Sequence, residues 1–316
     1  MVYNFIKYAE IICEGNMGKY IIKLVIALAA GAFLGIISGL IIGFVKIFAP
    51  EYYDSTVLFF KILLWGAVCI VIFVTIILIA ISTIKEFNFM KLVNNELMYN
   101  GLTKTIYDAA EKRRNTKLNR KNKTGVAYVG STNLMINYLA YEEKYDEAIN
   151  LLEEFDFNEL KEKLKVESNN PQRSNMVTFF GLMDSAFALY TELKNTEKVD
   201  ELYAIFYPLY NLCIAKYNYL TNVLYETKFK YHIFKEEYNE AESILDILKS
   251  NEPILYNAFM LDMFKAKNVK DKELILKTYN DGKAAAEKSV NKAFFVQAMD
   301  KKKDEILKEL SEEGQS

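Results

Sequence analysis

Histidine is almost missing from this chain: His232 is the only one in 316 residues. Its isolation removes His-paired metal sites and zincin-type helices. Lying between Tyr231 and Ile233 in a helical pattern, His232 reads as a packing or surface residue. Cysteine is scarce too, with Cys13, Cys69 and Cys213 and no Cys-x-x-Cys pair. No disulfide framework is expected, which suits a reducing compartment. Cys213 lies in an apolar run and reads as a buried structural thiol. Neither a Gly-x-x-x-x-Gly-Lys nor a Gly-x-Gly-x-x-Gly phosphate loop occurs. Four prolines and thirteen glycines are few for a β-rich or loop-rich chain, so the expected class is all-α. A net charge of −2 argues against a dedicated nucleic-acid binder. No catalytic residue, cofactor or metal is singled out, and an enzyme is not expected.

What the chain does have is a sharp division. The first 85 residues are mostly apolar; the rest is rich in Lys, Glu, Asn and Tyr. Residues 24–45 carry no charge between Lys23 and Lys46. As a helix they measure about 33 Å, enough to cross a ~30 Å hydrocarbon layer. Their length and bulky end argue against a cleaved leader. Residues 62–84, between Lys61 and Lys85, make a second run of the same kind. In lipid a single apolar run has to be helical. Residues 46–61, with Pro50 and the interfacial aromatics Tyr52, Tyr53, Phe59 and Phe60, read as the connection. Lysines on the outer flanks outnumber those in the connection six to two. The expected arrangement is therefore a two-span hairpin in the cell membrane with both termini cytoplasmic.

Ala27, Gly31, Gly35, Gly39 and Gly43 recur every four residues in the first run. Such a stripe lets another helix backbone approach closely. Its occupant is either the second span or another copy of the chain, which leaves a homo-oligomer open.

The organisation expected from these patterns has five parts. Residues 1–19 are an N-terminal segment with amphipathic spacing over 3–17, 20–85 the hairpin, and 86–125 a juxtamembrane helix and basic loop. Residues 126–310 are a helical domain and 311–316 a disordered tail. The apolar phase shifts at Gly101, which predicts a bend or break. Lys112, Arg113, Arg114, Lys117, Arg120, Lys121 and Lys123 then form a basic run without an acid. Such a run attracts anionic lipid or an acidic partner. A solvated loop is the plainer reading and is preferred, because an upright preceding helix would hold the run about 40 Å from the bilayer. That is far beyond a Debye length of ~8 Å. Further on, Pro171, Pro208 and Pro253 mark breaks, Asn175 is a candidate cap, and 283–310 reads as one charged helix.

Within the helical domain, EKYDEAINLL at 143–152 falls on EEYNEAESIL at 236–245, and EKVDELYAIF at 197–206 is a weaker third copy. Tyr145, Val199 and Tyr238 are followed three residues later by Ala148, Leu202 and Ala241, and then by Leu152, Phe206 and Leu245. A unit of this kind cannot bury its apolar face alone, so several must stack. The pattern resembles the tetratricopeptide repeat family, most closely where Tyr238, Ala241, Leu245 and Pro253 follow one another. The copies recur after 54 and 39 residues rather than at an even ~34. The resemblance implies a TPR-like solenoid that binds a protein or peptide.

Tyr203, Tyr207, Tyr210, Tyr217 and Tyr219 are candidates for a partner surface, with a tyrosine-rich repeat core as the simpler account. The function expected is a membrane-anchored adaptor or scaffold. The alternative is an oligomeric, ring or pore-like membrane assembly built by the glycine stripe and regulated by the repeats.

Overall fold

A computed structural model describes residues 37–251, 255–289 and 292–313. Among them the chain is all-helical, without a strand. It divides into two compact units, one ending at Asn88 and one running from Phe89 onward. The amphipathic segment 3–17, the first part of the 24–45 run, and Ala27, Gly31 and Gly35 lie outside the described residues, as do Glu252 and Pro253.

In the first unit, α1 is described over Ile37–Phe48. A 3-10 turn at Pro50–Tyr52 follows, with Pro at its first position, and leads into α2, Tyr53–Tyr99. Proline suits the first turn of a helix, where its missing N–H has no partner to lose. Most of the expected connection is therefore helical: residues 53–61 belong to α2, not to a loop. One helical stretch, Pro50–Tyr99, is long and apolar enough to cross a membrane, and its apolar part is exposed throughout this unit. Ile62, Trp65, Ile70, Phe73 and Ile76 all face outward. An exposed apolar surface of this extent marks a membrane or partner contact. A second full span is not among the described helices.

The second unit begins in the last turns of α2. Gly101 has φ +78°, the left-handed region open to glycine, and interrupts the helix where the phase shift predicts a bend or break; the direction the chain then takes is not in that shift. Its amide neighbour Leu102 donates to Gln297 Oε1 at 2.7 Å. Then come α3 (Lys104–Arg114) and the single turn α4 (Lys117–Arg120), capped by the Thr116 hydroxyl. The basic run is thus largely helical, not a loop.

Helices α5 (Val126–Tyr141) and α6 (Tyr145–Leu152) pair, followed by the short α7 (Phe157–Lys163). The same pairing joins α8 (Arg173–Glu192) to α9 (Thr196–Cys213), α10 (Thr221–Phe234) to α11 (Tyr238–Asn251), and α12 (Leu255–Val269) to α13 (Lys272–Ala286). The first members also pack along a row: α3 on α5, α5 on α8, α8 on α10, α10 on α12. The last helix, α14 (Lys292–Glu313), packs on α12 and α13.

All four pairs turn in the same way. Glu143, Lys194, Glu236 and Lys270 take positive φ between 53° and 59°. Three of the turns close with a backbone bond from the next amide back across the turn: Lys144 to Leu139, Asn195 to Tyr190, Glu237 to His232. That is a Schellman closure at non-glycine residues. Asn195 and Asp271 then cap α9 and α13 with their side chains. Five residues after each of these four positions stands a fully buried side chain: Ala148, Val199, Ala241 and Ile275. The turns therefore align Val199 with Ala148, three residues away from the register read from sequence, and bring in a fourth unit that the sequence pattern did not display.

Three local expectations change. Pro208 neither ends α9 nor is buried; the carbonyl of Ala204 that it leaves unpaired is on the exposed side, where water serves. Asn175 is inside the first turn of α8 and donates to the Leu164 carbonyl at 2.9 Å instead of capping. The 283–310 segment is two helices that pack on each other, and the second continues to Glu313.

Candidate functional site

The basic run separates into two sets. Arg113 is buried: its guanidinium donates to the Ala127 carbonyl and to Ser131 Oγ, both at 3.1 Å, and lies 4.7 Å from the Phe89 ring centre. Arg114 donates to Tyr128 Oη at 2.7 Å, pairs with Glu154, and covers the Tyr128 ring. Burial alone would raise the Glu154 carboxyl, but hydrogen bonds from Tyr128 and Arg114 hold it below the usual range. Both arginines are structural and leave the proposed patch. Lys112, Lys117, Arg120, Lys121 and Lys123 stay outside the core, with Leu118 among them at 57% exposure. Only Lys123 of these approaches a carboxylate among the described residues, Glu154 at 3.8 Å.

The aromatic candidates separate as well. Tyr203 stacks face to face on Tyr231, centres 3.5 Å apart, linking α9 to α10. Burial pushes its hydroxyl up to about 12. Tyr210 is buried against Phe206 and Tyr225. Tyr217 and Tyr219 contact each other, and Arg173 covers Tyr219 at 4.9 Å. Tyr207 alone of the five is exposed, at 46%, on α9, which also exposes Leu212. Tyr203 and Tyr210 are therefore packing, because their rings fill the space between α9 and α10.

Two polar clusters went unread in the sequence. In the first, buried Asp184 on α8 accepts from Thr227 Oγ1 at 3.0 Å and pairs with Lys230 at 2.5 Å, both on α10. In the second, α14 turns its polar side toward the row of helices. Lys301 Nζ donates to the Ala140 and Tyr141 carbonyls at 3.1 and 3.0 Å, satisfying the C-terminus of α5. Lys302 lies 2.6 Å from Glu305 and 3.5 Å from Glu192. Burial opposes its charge, yet the two carboxylates outweigh burial and hold it above its usual value. Burial raises Glu305, the adjacent Glu192 adds to that, and Lys302 opposes it. Glu309 bonds Lys194 and Lys267. The run Lys301-Lys302-Lys303-Asp304-Glu305 reads as a solvated face in sequence, and only tertiary packing reveals its use.

The remaining chemistry is sparse. Among the described residues no three His, Cys, Asp or Glu side chains come together as a metal would require. Burial pushes the Cys213 thiol up to about 11, away from a nucleophile's range. His232 Nδ1 is 2.6 Å from Glu237, across the turn between α10 and α11. Of the glycine stripe, Gly39 and Gly43 fall in α1, and neither has an atom within 4 Å of the position a β-carbon would take. No family model, curated protein or solved structure matches the chain.

Proposed function

We propose that this protein is a membrane-anchored adaptor: the apolar helix holds the chain in a bilayer, and the TPR-like row of helix pairs recruits a protein or peptide. One observation carries this reading. Four helix pairs repeat a single turn geometry, with Glu143, Lys194, Glu236 and Lys270 each five residues before a fully buried position. The last two turns are 34 residues apart, the period of the tetratricopeptide unit. Arrays of this kind present extended surfaces for binding rather than a single deep catalytic pocket. The exposed part of α9 with Tyr207 and Leu212 is the leading contact. Under this reading the apolar run before Pro50 and α2 make two spans, and the helical unit is cytoplasmic.

The test is isolation of the full chain from gently solubilised membranes, compared with Tyr207→Ala/Leu212→Ala. A specific protein retained by the parent and reduced at least about tenfold in the variant, as loss of an interface anchor of ~1.4 kcal/mol or more requires, supports the adaptor. Retention of nothing specific by the parent would sink it. A second reading, self-assembly through the stripe, draws on the open faces of Gly39 and Gly43. Crosslinking in lipid that is unchanged by Gly39→Leu would remove it.

A further inference from the structure

The basic run returns to Phe89, the residue at which the helical unit begins. After Gly101 reverses the chain, α3 runs back along the end of α2. Two contacts fix the direction: Thr103 Oγ1 donates to Glu96 Oε2 at 2.7 Å, and ten residues later Arg113 lies 4.7 Å from the Phe89 ring centre. Phe89 follows Lys85, the charged end of the apolar stretch, by only four residues. Four residues of chain span at most about 14 Å in any conformation. Chain connectivity alone therefore keeps Phe89, beside which α3 ends, within that reach of Lys85, where an upright helix would carry the run about 40 Å away.

At this returned end the chain holds its cations outward in a defined shape. The Asn119 amide donates to the Arg113 carbonyl at 2.7 Å, and Thr116 caps α4. With Arg113 and Arg114 turned inward, the segment is anchored while Lys112, Lys117, Arg120, Lys121 and Lys123 remain outside the core. Among the described residues, Lys112, Lys117, Arg120 and Lys121 have no carboxylate at ion-pair distance. The acids nearby are Glu111, exposed, and Glu154, already engaged by Arg114 and Tyr128. Leu118 stands exposed among the cations, the pairing of basic and apolar groups that suits a lipid interface.

We infer that Lys112, Lys117, Arg120, Lys121 and Lys123, with Leu118 between them, form a docking surface for the anionic headgroups of the bilayer that α2 enters. The inference rests on the membrane-anchor reading and adds to it. The anchor confines the surface to one membrane, so a contact weak in free solution becomes effectively intramolecular. Its function is to hold the helical unit against anionic lipid and to release it where anionic lipid is scarce. Each lysine or arginine near such a surface changes the docking equilibrium about fivefold.

The test uses the full chain in nanodiscs of phosphatidylcholine alone or with one-third phosphatidylglycerol, and measures amide hydrogen exchange over 112–125. Exchange there is expected to slow in the anionic discs only. Salt at about 1 M, where the Debye length is ~3 Å, should remove the effect. So should the variant Lys112→Gln/Lys117→Gln/Arg120→Gln/Lys121→Gln, and each single replacement should reduce protection about fivefold. Matching thermal unfolding of parent and variant shows that the fold is kept. Equal exchange in both kinds of disc overturns the inference, as does protection that survives the variant. Lipid-independent exchange, with an acidic protein retained by the parent but not the variant, overturns it in favour of a protein ligand. A chain that fails to enter discs at all sinks the anchor reading and the docking surface together, so the two failures are distinguishable.

Discussion

Two helices of this chain are rich in large apolar side chains and meet opposite fates. Helix α8 is buried on almost every side, with Phe179, Phe180 and Phe187 packed against Phe157 and Phe206. The apolar stretch of α2 exposes Phe73, Ile76 and Trp65. Both are rich in large apolar groups, and what ties α8 to the protein interior is its polar content. Helix α8 contains Asp184 and Asn175, each satisfied by a specific neighbour, Thr227 and Lys230 for one and the Leu164 carbonyl for the other. Groups like these bind a helix to one protein environment, because leaving them unpaired costs more than the apolar surface returns. Residues 62–84 carry no charge at all. Such a helix is indifferent to which apolar medium surrounds it, and lipid serves as well as protein.

Truncating one large ring in each helix should break the symmetry most strongly. Phe187→Ala in α8 should destabilise the helical unit by about 3–5 kcal/mol, because it removes buried contacts and leaves a cavity. Phe73→Ala in α2 should leave the unfolding of that unit within about 0.5 kcal/mol of the parent. Denaturant unfolding of the full chain in detergent reads both. Comparable losses in the two variants would mean that the exposed stretch is part of the protein core.

The second contrast exchanges polar character. Asp184→Leu strands the Lys230 ammonium beside α8 and should cost about 3 kcal/mol. Pairing it with Lys230→Met should recover much of the loss, since the double change removes both charges. Ile76→Asp in α2 should leave the helical unit folded but reduce membrane integration, by about 2.5–3.5 kcal/mol for a charge at a span centre. Alkaline extraction of membranes measures this. An Ile76→Asp variant that stays as firmly integrated as the parent would refute a spanning role for the stretch.

The same contrast explains what was legible in the sequence. Apolar runs, the break at Gly101 and the buried Ala148 and Ala241 all carry a local signature: length, a glycine, a small residue at helical spacing. The turn at Lys194 carries none, since nothing about lysine announces positive φ, and the third unit was read three residues out of register as a result. The direction of α3 was hidden for a different reason. Periodicity tells which face of a helix is apolar, not whether the helix continues outward or folds back. The candidate residues divided by the same rule: Arg113, Arg114 and Tyr210 have the composition of surface groups and the positions of core groups. Lys301 and Lys302 were invisible as partners of α5 and α8 because the contact spans more than a hundred residues.

The smallest expected effect lies in that last region, where α14 meets the row of helices, and it has opposite signs at neighbouring carboxylates. Burial works to raise Glu309, but Lys267 and Lys194 outweigh it and hold the group below its ordinary value of 4.5. A carboxyl depressed on folding contributes stability that is present above its unfolded value and disappears as pH falls through the folded value. Glu305 behaves inversely. Burial raises it, Glu192 adds to the rise, and Lys302 only partly offsets them. The folded chain binds that proton more tightly than the unfolded chain, so stability increases as pH falls through the raised value. On acidification from neutral, Glu305 should therefore support the unit before Glu309 and Glu154 begin to release it below about 4.5. Glu305→Gln should flatten the first part of the curve. Glu309→Gln should lower the melting temperature at neutral pH by up to about 2 °C and shrink the acid-side fall. Thermal unfolding of the full chain in detergent between about pH 4 and 7 resolves the two slopes. If Glu305→Gln steepened the loss on acidification instead, Glu305 would be ionised and paired like Glu309. The contact between α14 and α8 would then be an ordinary salt bridge, with no carboxyl inside it kept toward its neutral form.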